Sequence, residues 1–305
     1  MPREIVEKDL PAIKRLVKDI LLSDGYRELE RLGGLTNHTY KVTLADKRLF
    51  IVRIPGEGTE EMIVRGDEKV STELACYLGI DAEVLYFGED GTKVSQYIPE
   101  AVTMSPMTMK EPEHLKKAAE ILKKLHGSHV DTGVPFEVFG MAAGYERIIF
   151  ENNVSMYSDY DMVKKKVMDI KALVDKLCDI QKVPCHNDPL CENWVMSQGG
   201  RMYLVDWEYA GMNDGIWDLA DVSIEASLDH ALDEMLLTAY FGDVPTTVDW
   251  KRFLANKLYV DYLWTLWAKT RVPYDGQDME DWAAERYERL KNNIEAFEKL
   301  EEMES

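Results

Sequence analysis

The stretch "PCHNDPLCENWVM", residues 184–196, gathers a histidine, two carboxylates, two amides and two cysteines between a proline and an apolar run. Thiols and imidazole would suit a soft metal, carboxylate and amide oxygens a catalytic loop, and turn propensity alone a polar turn. Asp188 and Asn193 lie on this stretch, and Asp206 ends the strand "MYLVD". A hairpin running from Asn193 to Asp206 brings its two ends together, so the amide and the second carboxylate can share one cation while Asp188 faces outward. Hard oxygens of this kind suit Mg2+, which takes one or two carboxylates and completes its shell with phosphate oxygens and water. Asp188 is then left to hold a hydroxyl. A base that orients the nucleophile, beside ligands that neutralise phosphates, is the division of labour phosphoryl transfer requires. Zinc fits poorly, because Cys185, His186 and Cys191 have no fourth soft ligand at a usual spacing. The two cysteines read as packing residues.

The elements that must position these groups are legible in outline. Apolar residues at helical spacing in "MPREIVEKDLPAIKRLVKDILLSDG" give a first helix. Two β-rich runs, at about 39–44 and 48–54, flank the turn-forming "ADKR" and read as a hairpin. Residues 59–78 carry helix formers, and two short strands follow around the turn "GEDG". The "YIPE" segment changes the composition, and from Pro112 onward the pattern is mostly helical, with amphipathic helices at 112–126 and 160–180. Around "QGG" the chain returns to a short strand pair, then helices resume near Ile216 with breaks at "FGDVPTT" and "VPYDGQ". The division that follows is a first lobe over residues 1–98 and a second over residues 99–305.

Composition bounds the partners. A chain of 305 residues with 46% hydrophobic residues can bury a large core without staples. Its four cysteines, irregularly spaced and without a C-x-x-C pair, fit a reducing, cytoplasmic compartment. No run reads as a secretion signal or a membrane span. With 56 acidic against 36 basic residues the formal net charge is −20, which argues against nucleic acid as a partner and would attract a cationic small molecule. The same acid excess also serves plain solubility.

"HNDPLCEN" followed by "VDWEYAG" resembles the H-x-D-x-x-x-x-N catalytic loop and the metal-binding aspartate of the protein-kinase-like fold, in the form found in aminoglycoside phosphotransferases and choline kinases. The resemblance implies an α+β, two-lobed architecture with an antiparallel-sheet N-lobe and a mostly helical C-lobe. It makes Asp188 the catalytic base, Asn193 and Asp206 the metal ligands, and His186 and Asp218 the residues that brace the loop. "RLGGLTNHTYKV" resembles the glycine turn that covers nucleotide phosphates, which implies roles for Gly33, Gly34, Thr36 and Asn37. Arg53 lies where most kinases place a phosphate-gripping lysine and choline kinases resemble this chain in having arginine. A guanidinium stays charged and can bind phosphate with two parallel hydrogen bonds, so the electrostatic role survives. Glu68, eleven residues before Gly79, is the implied partner of Arg53, with Glu73 as the competitor on another helical face. Gln96, Tyr97 and Ile98 resemble the linker whose main chain meets adenine.

A quaternary ammonium donates no hydrogen bonds, so a protein selects it with aromatic faces and a diffuse negative field. In "YVDYLWTLWAK", Trp264 and Trp267 are three apart, so both rings can share one helical face. As a bare pattern, such a pair is core more often than site. The W-x-x-W pair resembles that of choline kinases, Tyr209 matches an aromatic lining their choline pocket, and Glu225 resembles the acid near the substrate cation. Within the family the resemblance is to bacterial choline kinases of the phosphocholine-decoration type. It implies ATP and Mg2+ as cofactors and choline as acceptor, with ethanolamine, other amino alcohols and aminoglycosides as alternatives. A catalytically silent relative would lack one of Asp188, Asn193 or Asp206, and all are present. A metal-dependent phosphohydrolase would leave the nucleotide-lobe features without purpose.

Overall fold

The computed structural model describes residues 4–33, 37–56 and 63–302. In chain order, the first segment carries α1 (Leu10–Asp19), β1 (Tyr26–Gly33), β2 (Asn37–Leu44), β3 (Leu49–Pro55), α2 (Arg65–Tyr77), β4 (Val84–Phe87), β5 (Lys93–Gln96) and β6 (Val102–Thr103). Next come α3 (Pro106–Met109), α4 (Pro112–His126), α5 (Val138–Glu151), α6 (Tyr160–Leu177) and β7 (Lys182–Cys185). A hairpin of β8 (Trp194–Met196) and β9 (Met202–Leu204) precedes β10 (Gly211–Asp214), α7 (Gly215–Glu225), α8 (His230–Phe241), α9 (Thr247–Asp275) and α10 (Gln277–Glu302).

Contacts divide the chain into two compact units, Met1–Met104 with Glu192–Ala210, and Ser105–Cys191 with Gly211–Ser305. The chain therefore passes between units three times, rather than once at residue 98 as the composition change suggests. No helix among the described residues is long and apolar enough to cross a membrane.

The first unit is built on an antiparallel sheet in the order β1-β2-β3-β5-β4. Strand residues alternate between faces, so Tyr40, Val42 and Leu44 of β2 and Phe50 and Val52 of β3 enter one core with Val94 of β5. Helix α1 closes it with Ile13, Leu16 and Val17, spaced three and four apart as one helical stripe requires. Lys47 supplies a left-handed turn residue (φ 71°), and Leu44 N–H donates to Arg48 O at 2.9 Å. The same alternation that buries Val52 turns Arg53 to the opposite face of β3.

The β8–β9 hairpin joins this unit from far along the chain. Val102 of β6 pairs with Met196 of β8, and Leu204 N–H of β9 donates to Ile80 O at 3.2 Å. Gly200, at φ 77°, makes the turn. Val205 N–H donates to Asn193 O at 2.9 Å, so the hairpin holds Asn193 against the residue preceding Asp206.

The second unit is helical around α9, 29 residues long. Thr246 and Asp249 form a reciprocal capping box at its start, which satisfies two otherwise orphaned N–H groups. The helix runs past Pro273 and stops at Gly276, whose φ is 73°. Strands β7 and β10 pair here, Gly211 opposite Cys185 and Asp214 opposite Lys182. This short ladder fixes the point from which the 186–193 loop departs.

Candidate functional site

In the first unit, Arg53 is the centre of a buried charge network and is 4% exposed. Its Nη2 forms an ion pair with Glu68 Oε1 and donates to Gly91 O at 3.0 Å, while Nη1 lies 3.5 Å from Asp206 Oδ1 and 3.7 Å from Glu208 Oε1. Glu73 is exposed, with Lys69 Nζ at 3.9 Å. A second guanidinium, Arg65, donates at 2.8 Å to both Glu68 Oε2 and Glu208 Oε1. Asn37, at the start of β2, donates its amide to Glu208 at 2.8 Å. The order of this cluster depends on Gly91: at φ 84° its missing Cβ would lie 2.5 Å from Arg65 Cδ.

Glu68, Asp206 and Glu208 bring carboxylate oxygens within 4.8 Å of one another. Asp206 takes a left-handed backbone (φ 68°), a conformation that costs a non-glycine residue on the order of 1 kcal/mol or more and recurs where a side chain must be aimed. Desolvation first, then repulsion from Glu208, pushes its carboxyl up to about 6, while Arg53 and Lys93 pull it down. Crowded hard oxygens with a raised carboxyl are the donor set a divalent cation relieves, so the residues present fit Mg2+.

The other candidate residues of this unit are spread along it. Gln96 ends β5, with its N–H donated to Glu83 O at 2.9 Å. Tyr97 and Ile98 follow, both half-buried, with Lys41 Nζ 5.2 Å above the Tyr97 ring. Gly33 closes β1, and Gly34 and Thr36 lie outside the described residues. Tyr209 sits half-buried in a turn closed by Ala210 N–H to Trp207 O at 3.2 Å.

In the second unit the loop after β7 is held by its backbone. Asp218 of α7, fully buried, accepts the N–H of His186 on Oδ2 and that of Asn187 on Oδ1, each at 2.8 Å. His126 Nε2 meets the same Oδ2 at 3.0 Å, and its Nδ1 meets the Tyr240 hydroxyl at 2.8 Å. Gly215 leaves the room for this ring, since a Cβ there would lie 2.8 Å from His126 Nδ1. Asn187 is left-handed (φ 66°), with its carbonyl receiving Trp217 Nε1–H at 3.0 Å and its side-chain oxygen receiving Asn213 at 2.9 Å. His186 is itself buried and its Nδ1 accepts the Asp188 N–H at 3.3 Å. Asp188 is thereby presented half-buried at the loop's apex. Cys185 and Cys191 are buried, and burial pushes the Cys185 thiol well up, away from the thiolate a soft metal needs.

Three indoles form a chain in the same unit. Trp264 and Trp267 meet edge to face at 6.1 Å, and Trp267 meets Trp282 of α10 at 6.0 Å. Trp264 is 5% exposed and Trp267 half-buried. The Arg286 guanidinium lies 4.0 Å above the Trp282 ring and is ion-paired with Glu225. Tyr209 belongs to the other unit, whereas Glu225 and both sequence-identified tryptophans belong to this one. Arg65, Glu208, Trp282 and Arg286 were not singled out from the sequence. Arg65 carried one usable signal, its position three residues before Glu68, where two helical side chains meet.

The description "choline/ethanolamine kinase" matches the chain over residues 30–300. The chain belongs to the choline/ethanolamine kinase family. Among solved structures, a choline/ethanolamine kinase family protein from Mesorhizobium loti superposes with a TM-score of 0.84 at 34% identity, covering 95% of this chain and 97% of the other. The choline kinase LicA of Streptococcus pneumoniae gives a TM-score of 0.81 at 30% identity, over 95% of this chain and 100% of LicA. A structure of LicA in complex with AMP gives 0.77 at 30% identity, over 94% and 98%. As a choline/ethanolamine kinase family member the chain is an α+β protein of the protein-kinase-like fold and a phosphotransferase acting on an alcohol.

Proposed function

We propose that this protein transfers the γ-phosphate of ATP to the hydroxyl of choline. The observation that carries the choice of acceptor is the chain of three indoles, Trp264, Trp267 and Trp282, at 6.1 and 6.0 Å spacings, whose last ring already faces a cation, Arg286 at 4.0 Å. Indole faces attract cations through their quadrupole, and they need no hydrogen bond that a trimethylammonium group lacks. The likeness to the choline kinase LicA supports the same acceptor, the LicA complex with AMP supports an adenine nucleotide as donor, and the family's description fits a choline or ethanolamine acceptor.

In this reading Asp188 accepts the proton of the choline hydroxyl and holds its oxygen in line with the γ-phosphorus. Asp218, by gripping the His186 and Asn187 amides, keeps that carboxylate in place. Arg53, held by Glu68, meets the phosphate charge, and Tyr97 and Ile98 meet adenine through main chain. Glu225 completes the surroundings of the ammonium group with the tryptophans. Asn193 and Asp206 would hold Mg2+, which supplies charge neutralisation at the phosphate oxygens when bound.

An ADP-release assay with choline, ethanolamine and kanamycin side by side tests the reading. Choline is expected to turn over fastest, and Asp188→Asn to lower kcat about a thousandfold. Turnover of another acceptor with none of choline would sink the choline assignment.

A further inference from the structure

Helix α7 carries three acids, Asp218, Asp221 and Glu225, spaced three and four residues apart, so they stack along one helical flank. Two of them are partnered: Asp218 by the loop amides and His126, Glu225 by Arg286. Asp221 is not. It is 1% exposed, and its Oδ2 has no hydrogen-bond partner among the described residues. A buried carboxylate that meets neither a donor nor a counter-charge of its own is costly, and natural proteins keep such groups where one or the other completes them.

The surrounding charges do not supply the missing partner. Asp221 feels Glu225 and Asp218 from its own helix, Asp188 from the loop and Arg286 from α10. Arg286 is already shared, with Glu225 on one side and Asp261 of α9 at 3.4 Å on the other, and its face lies on Trp282. Arg289 is taken up by Asp261 at 2.6 Å. Asp221, Glu225 and Asp261 therefore face two guanidiniums, and the shortfall is one positive charge.

We propose that Asp221 is a further binding residue for the acceptor, a buried carboxylate whose counter-charge is the organic ammonium group of the substrate. The proposal rests on the reading of the protein as a kinase of a cationic alcohol. Burial, then the charges of Glu225 and Asp188, raises the Asp221 carboxyl well above the usual carboxylate range, so without substrate it retains a proton. On binding, the O–H bond of the acid breaks, the proton passes to solvent, and the ammonium takes its place as counter-charge. Below the raised value one proton leaves for each ammonium bound, so affinity strengthens as pH rises and levels off above it.

The test is the affinity for choline, or for whichever acceptor the ADP-release assay shows to be turned over, measured calorimetrically from about pH 5 to about pH 8. The wild-type protein is expected to tighten by up to about tenfold per pH unit over part of that range. Asp221→Asn, which keeps shape and removes charge, is expected to flatten the slope and raise the acceptor KM about tenfold, with the ATP KM within about twofold. A flat wild-type profile overturns the proposal whether or not the variant folds. An unchanged slope in Asp221→Asn, or equal rises in both KM values, also overturns it. Proton release by MgCl2 alone would assign the pair to a divalent cation and overturn it too. If the wild-type enzyme turns choline over and the profile is flat, only the role of Asp221 fails; if choline is not turned over, the acceptor assignment fails, and the slope with the true acceptor still decides Asp221.

Discussion

The two units hold their functional groups by different means. Around Arg53 the restraint is charge on charge, two guanidiniums against Glu68, Asp206 and Glu208, with one backbone bond beside them, from Arg53 to Gly91 O. Around Asp188 the restraint is charge on backbone, one carboxylate gripping two consecutive amides. On the proposed function, the difference follows from what each group must do. Groups that meet phosphate and metal exchange partners when those ligands arrive, and a network of side-chain ions can redistribute its charge. A base must only keep its position, and a loop tied through its main chain by Asp218 suits that task.

Removing one tie from each unit separates the two means. Asp218→Ala leaves two buried N–H groups and the His126 ring without their acceptor, a loss of about 1–3 kcal/mol for each group. We expect it to cost the most stability in urea titration and to lower kcat sharply, with no single partner change restoring either. Arg53→Met leaves Arg65 as the one remaining guanidinium on Glu68 among the described residues and is expected to cost up to about 3–5 kcal/mol. Adding Glu68→Leu should restore most of that stability, because an apolar pair of similar volume replaces a buried ion pair at little cost. Phosphate affinity, read as the ATP KM, should stay poor. If the double variant is no more stable than Arg53→Met, the network is held by more than mutual charge.

A smaller effect distinguishes the two tryptophans. Trp267→Ala removes a half-buried ring and is expected to raise the choline KM about tenfold with a modest change in melting temperature. Trp264→Ala should raise it similarly and also cost about 3 kcal/mol or more of stability, because that ring is 5% exposed. Equal effects on the choline and ATP KM values would make the rings core and nothing else. The smallest expected loss is at Gly91→Ala, where a Cβ would meet Arg65 at 2.5 Å. A loss of about 1–3 kcal/mol with a raised ATP KM would show that the ionic network is sensitive to its geometry.

What the sequence revealed follows the range of the interactions. The hairpin around "ADKR" and the helix at 112–126 were legible because alternation and helical periodicity are local signals, and they appear as β2, β3 and α4. The strands flanking "QGG" were legible from a turn and two apolar runs. Helix α5 was not marked, because its apolar residues are not confined to one narrow stripe. Glu208 was passed over although it lies two residues from Asp206, because its meaning depends on Arg65, 143 residues earlier in the chain. Asp221 was passed over for a related reason. Its carboxylate is notable only for what fails to face it, and an absent partner leaves no trace in a pattern of residue types.

The hairpin at 194–204 also bears on how the chain reaches its folded state during synthesis. Its strands belong with residues 102–103, yet they emerge only after the whole of 105–191 has been made. Joining them closes a loop whose entropic cost is on the order of 4 kcal/mol, recovered only when β6 and Ile80 find their partners. An N-terminal fragment ending at residue 104 would carry Arg53 and Glu68 but neither Asn193 nor Asp206. The first unit is therefore not a detachable module: its last pieces arrive only after residues 105–191 of the opposite unit have been made, and the two are obliged to mature together.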